Sequence, residues 1–326
     1  MRSWPCWIAL LLACSSSKPP PAPVGHIIVV LTVDWEGADL SAENLDAFED
    51  LRAKLGPAPI THFVSAAYAT KDHAVEATFD AVLEKTIRSG DELAVHLHAW
   101  TSLVRRSGLE ARVEPSFLTG TDTVVDLEDG DHGFDTDLDT YDVPALRAML
   151  QTSRQILERS HLPVSKSFRA GGYLGTPKML LAIGDEGFAV DSSAIDSHQL
   201  RSLDDDAWLH RLAQVWPNID ATTQPFYLPA AATQLVELPI AAVIDYVTTP
   251  ELVARFESAK ARLDADRAHD VFIVVAFHLE TISDLAGRLV DAMTTVRARP
   301  ELARELVYVT AEQAAELARF ALSSPR

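Results

Sequence analysis

Two histidines stand two residues apart in LAVHLHAW (93–100), at the end of an otherwise apolar run. Imidazoles so spaced on a β-strand share one face. With a carboxylate they make a three-ligand set that suits zinc and leaves one position open for water or substrate. The first apolar run supplies acids: HIIVVLTVD (26–34) leads into Trp35 and Glu36, which puts Asp34 and Glu36 on a common face. One acid would bind the ion and the other take a proton from water; the spacing leaves open which does which. His96 and His98 alone could equally be hydrogen-bonded polar residues at a strand end, and it is the surrounding groups that favour ligation. Arg169 lies in SFRAG (167–171), Asp191-Ser192-Ser193 ends FAVDSS (188–193), and His278 and Glu280 end VFIVVAFHLE (271–280). The serines read more simply as a helix cap, and Arg169 alone as half of a structural ion pair.

Such groups converge only if their strands lie side by side and parallel. Strand patterns at 26–34, 60–66, 93–98, 167–171, 188–193, 235–240, 271–278 and 306–310 alternate with helical patterns near 41–55, 74–88, 144–160, 176–187, 250–266 and 282–297, before a closing helix. The alternation predicts an α/β fold, a closed or nearly closed (β/α) barrel of about seven strands in a single catalytic domain. An open doubly wound sheet is the competitor, but no glycine-rich nucleotide fingerprint follows the first strand. Two long interruptions, 104–142 and 196–234, fall where barrels meet their substrates. The first holds DLEDGDHGFDTDLDTYD, which lacks the spacing of a calcium loop and reads as solvated. The second holds Trp208, Trp216 and Phe226.

Residues 1–14 have a charged start and an apolar middle too short to span a bilayer, the pattern of a signal peptide. Leu11-Leu12-Ala13-Cys14 resembles the lipobox of bacterial lipoproteins, implying acylation of Cys14 and a lipid anchor in the cell envelope. Ser15 in the next position resembles the signal for the outer membrane in cells that have one. A Ser/Pro-rich tether follows at 15–24, and the globular domain is expected over 25–326. Cys6 is the only other cysteine and lies in the segment to be removed, so no internal disulfide is expected. The formal net charge of −19 argues against nucleic acid as a partner.

LTVDWEG (31–37), DELAVHLHAW (91–100), SFRAGGYLG (167–175), GFAVDSSA (187–194), ELP (237–239) and VVAFHLE (274–280) together resemble the ordered motifs of the polysaccharide deacetylase family, the NodB-homology domain. The resemblance implies a distorted β/α barrel that binds zinc or a similar divalent ion and removes N- or O-linked acetyl groups from carbohydrate. It implies Asp34 as general base, Arg169 as the group orienting it, and His278 as general acid. Many members carry the metal carboxylate directly after the base, where this chain has Trp35, so the resemblance points to Glu36 and to a branch with an Asp-x-Glu pattern. His96 matches the first metal histidine. Trp100 stands where the second usually falls, so His98 takes its place. Trp100, Tyr173 and Leu238 would line an apolar pocket for the acetyl group.

Two rivals stand beside this reading. An amidohydrolase also uses His-x-His, but normally on its first strand, and would need Asp191 or another late carboxylate as ligand. A glycan-binding lipoprotein that has lost activity would keep the fold without stoichiometric metal.

Overall fold

The computed structural model describes residues 24–72, 76–119, 130–200, 206–228 and 234–323. The expected signal segment, Cys14 and all of the tether but Val24 lie outside them. No helix among the described residues is long and apolar enough to cross a membrane.

The chain folds into one curled, mostly parallel sheet wrapped by helices. Its strands are β1 (Ile27–Trp35), β2 (Ile60–Ser65), β3 (Glu92–Leu97), β4 (Val164–Ala170), β5 (Val190–Asp191), β6 (Phe226–Tyr227), β7 (Val236–Glu237), β8 (Ile240–Val243), β9 (Val271–His278) and β10 (Leu306–Tyr308). Their order is β6-β7-β5-β4-β3-β2-β1-β9-β8, with β10 on β1. Every residue of β1, β2 and β3 is buried, as expected for parallel strands covered on both faces. Helices Ala42–Leu55, Thr249–Ala265 and Ile282–Arg297 cover part of the outer surface. Ser41 starts the first of these by accepting a hydrogen bond from the Asn44 amide.

The barrel closes through a broken strand. Sequence pattern predicts one strand over 235–240; the structure splits it at Leu238-Pro239 into β7, paired with β5, and β8, paired with β9. Proline has no amide to continue a ladder, so the chain changes partner there. A single parallel bridge between Ile195 and Ile240 spans what remains of the gap. Counting β7 and β8 as one, seven parallel strands run from β1 to β9, in agreement with the expected barrel.

The acidic stretch departs from expectation. Asp131, Asp135 and Asp137 are buried, and each meets donors distant in sequence. Asp131 accepts from Thr101 and Ser102, and its neighbour in the stretch, Asp135, from Ser116. Arg211 bridges Asp137 and Asp139, tying the two interruptions together. The described part of the run is a packed loop and not a solvated one.

Candidate active site

Alternation along β1 sends Thr32, Asp34 and Glu36 to the barrel's inner face and Trp35 to the outer one, where its ring meets His62 and Tyr68. In register, Asp34 lies beside His278 of β9, and His96 of β3 lies beside Arg169 of β4. Four strands thus deliver their polar ends to one rim, the C-terminal one, where barrel sites form.

Glu36 sits between the two histidines, with Oε1 at 3.3 Å from His96 Nε2 and Oε2 at 2.6 Å from His98 Nε2. The far nitrogens are committed to backbone carbonyls: His96 Nδ1 donates to Arg169 O at 3.0 Å and His98 Nδ1 to Phe134 O at 2.7 Å. A carbonyl can only accept, so Nδ1 carries a proton on each ring, and in the neutral form Nε2 turns a lone pair toward Glu36. Fixing the outer nitrogen in this way is how metal-binding imidazoles are oriented. His98 Nε2 is buried and lacks a hydrogen bond despite its short approach to Glu36. Two Nε2 atoms facing a carboxylate in a buried space call for positive charge between them, which a metal ion bound by all three, or in its absence a proton on His96, supplies. Burial works against the Glu36 charge, yet His98 and His96 hold its carboxyl well below the usual range. Burial likewise opposes charge on His96, and Glu36 more than offsets it. Glu36, His96 and His98 bring ligand atoms within 4.8 Å of one another, as do Asp34, Glu36 and His278. This donor set fits a divalent ion such as zinc.

Asp34 is held from behind. Arg169 donates from one guanidinium nitrogen to Asp34 Oδ1 at 2.7 Å and to Thr32 Oγ1 at 2.8 Å, and from the others to Ser192 O and Oγ. Ser192 Oγ in turn donates to Leu238 O. Asp34 Oδ2 is left without a hydrogen bond, with His278 Nε2 at 3.9 Å. The serines therefore anchor Arg169 and the strand edge and do not cap a helix: Ser193 Oγ accepts from the Ala170 amide and donates to Asp191. Asp191 lies beside Glu237 outside both ligand groups. Burial lifts Asp191 to about 6, and burial together with the Asp191 charge lifts Glu237 well above its ordinary value.

His278 faces Glu36 Oε1 at 3.4 Å and the Tyr173 hydroxyl at 3.1 Å, while its Nδ1 pairs with Asp245 Oδ2 at 3.0 Å. Burial alone would favour the neutral ring, but Asp245, and more weakly Glu36 and Asp34, push it up to about 10. Sequence reasoning left this partner unassigned. An acid two residues beyond a strand end was the available signal, but the expected strand stopped at 240 and Asp245 fell outside it. Glu280, beside Glu36, accepts from the Tyr68 hydroxyl and the Glu36 amide; burial and the Glu36 charge push it up to about 8.

Of the three apolar residues expected around an acetyl group, Tyr173 lines the cleft. Trp100 is fully buried, donating its indole N–H to Glu36 O at 2.8 Å, and Leu238 is fully buried on the far side of Ser192. Neither lines the cleft.

Gly171 matters through its lack of a side chain. A Cβ there would lie 2.6 Å from His98 Nδ1, against a ring already fixed by Phe134. Gly171→Ala is therefore expected to displace His98 and weaken divalent-ion affinity by about 10–100-fold, the usual cost of losing an orienting contact. Isothermal titration of zinc into the metal-stripped chain measures it.

No family model matches the chain, and no curated protein matches it. Solved structures do. A candidate polysaccharide deacetylase from Mycobacterium smegmatis superposes with a TM-score of 0.55 at 15% identity, covering 94% of this chain and 96% of its own. A protein from Pseudomonas aeruginosa PAO1, also described as a probable polysaccharide deacetylase, gives 0.54 at 12% identity over 92% and 93%. PuuE allantoinase gives 0.53 at 12% identity over 95% and 96%. At these identities the likeness establishes the shared fold.

Proposed function

We propose that this chain is a metal-dependent hydrolase of the polysaccharide deacetylase type, removing N- or O-linked acyl groups from a carbohydrate. One observation carries the reading: two imidazoles, each fixed through its outer nitrogen, turn their Nε2 atoms onto the Glu36 carboxylate, while Asp34 and His278 flank the same point. The names of the structurally similar deacetylases agree with it.

Glu36, His96 and His98 would hold the ion, with zinc the first candidate. A bound divalent ion supplies Lewis acidity toward a carbonyl oxygen and makes water a better nucleophile at neutral pH. Asp34 is assigned as general base because Arg169 fixes Oδ1 and leaves Oδ2 free to accept the water proton. His278 is assigned as general acid. Asp245 Oδ2, 3.0 Å from Nδ1, balances the charge of the ring, so Nε2–H can pass a proton to the departing nitrogen or oxygen. Arg169 touches no reacting atom and acts by positioning Asp34. The amidohydrolase alternative is not favoured, since Asp191 pairs with Glu237 away from the histidines.

Acetate release from acetylated chito-oligosaccharides and acetylated xylan, with and without chelator, tests the reading. Turnover that stops on chelation and returns with added zinc supports it; turnover indifferent to chelation defeats metal dependence.

We also propose that the chain is exported and anchored by lipid at Cys14, on the strength of residues 1–14. Cys14→Ser is expected to abolish incorporation of labelled palmitate in cells and release the protein from the membrane fraction. Labelling that persists in the variant contradicts the anchor.

A further inference from the structure

The cleft over these groups has a volume of about 540 Å³, whereas an acetyl group has three heavy atoms. Around the charged cluster its lining is mostly apolar. Ala38, Leu118, Phe134, Leu285, Trp208 and Tyr246 contribute to it. Trp208 lies flat along Tyr173, at 8° between ring planes, and edge-on to Tyr246. Two of the polar tips are already used: Trp208 Nε1 donates to Gly172 O at 2.9 Å, and the Tyr173 hydroxyl meets His278.

Some other polar lining groups are engaged as well, although Glu280 Oε2 and Asp245 Oδ2, both buried, make no hydrogen bond. Thr281 donates to Asp245, and Glu280 accepts from Tyr68 and the Glu36 amide. Sugar hydroxyls set against the apolar walls, away from the histidines and carboxylates on the floor, would give up water for few partners among the described residues. An apolar group would gain burial there instead.

We propose that the group removed at this site is an acyl chain longer than acetyl, seated in the apolar cleft with its carbonyl at the histidine–carboxylate cluster. The inference rests on the hydrolase reading for the bond that is cut, and on the cleft walls for the chain that is recognised. Hydrolysis adds water across that bond, giving the free carboxylic acid and an amine or alcohol.

The test uses the full chain and N-acetyl-, N-butyryl-, N-hexanoyl- and N-octanoylglucosamine, with the matching 4-nitrophenyl esters as a second scaffold. kcat/KM should climb about two- to threefold per methylene, compounding to on the order of a hundredfold from acetyl to octanoyl. Calorimetry on the metal-stripped chain should give tighter binding of the octanoyl than of the acetyl compound. Leu118→Asn and Leu285→Asn, both at half-buried positions on the walls, should flatten both trends. Rates highest for acetyl, with no gain in binding along the series, overturn the inference and leave the hydrolase reading standing. Octanoyl compounds bound tightly while none is cleaved sink the hydrolase reading and support the apolar ligand.

Discussion

Asp34→Asn is expected to lower kcat by about 10²–10⁴-fold, the usual range for loss of a positioned general base, while bound metal stays unchanged. The amide keeps the shape of the carboxylate and an oxygen for Arg169, but the free position no longer accepts a proton. Steady-state turnover and elemental analysis on one preparation separate the two effects. Near-normal turnover would remove Asp34 from the base role; loss of metal along with activity would make it a ligand instead of, or beside, Glu36.

Arg169→Met carries the second large effect. Arg169 is fully buried, and its charge is balanced by Asp34, itself almost without solvent contact. Removing one partner of such a pair costs about 3–5 kcal/mol because the other charge is left buried and uncompensated. For a chain of this size that amounts to a fall in Tm on the order of 10 °C, with activity lost because Asp34 is no longer held. The double variant Arg169→Met/Asp34→Leu should recover much of the stability and none of the activity. Differential scanning calorimetry and the acetate assay together check this. A single variant as stable as the wild type would mean the pair is not the buried anchor described above.

The parts of the site legible in the sequence were those set by strand alternation. Runs rich in β-branched residues located β1 and β9, a short apolar run located β3, and period-two spacing put Asp34 with Glu36 and His96 with His98 on common faces. Cross-strand register then made neighbours of Asp34 and His278.

What escaped depended on contacts far apart in the chain. Asp245 was hidden because Pro239 breaks the strand and the second half, Ile240–Val243, carries it onto β9. The acidic loop looked solvated because composition alone cannot reveal that Ser116, Thr101, Ser102 and Arg211 supply its donors. That loop also brings Phe134, whose carbonyl fixes His98 and whose ring stacks on it at 4.7 Å between centroids. No local pattern signals a ligand's backbone partner 36 residues away.

Metal content tests the central claim most directly. Elemental analysis of the purified chain after incubation with zinc and removal of excess should give about one divalent ion per molecule in the wild type and essentially none in His96→Ala/His98→Ala. A wild-type chain that retains no ion, or a double variant that retains it fully, would contradict a metal centre built on Glu36, His96 and His98.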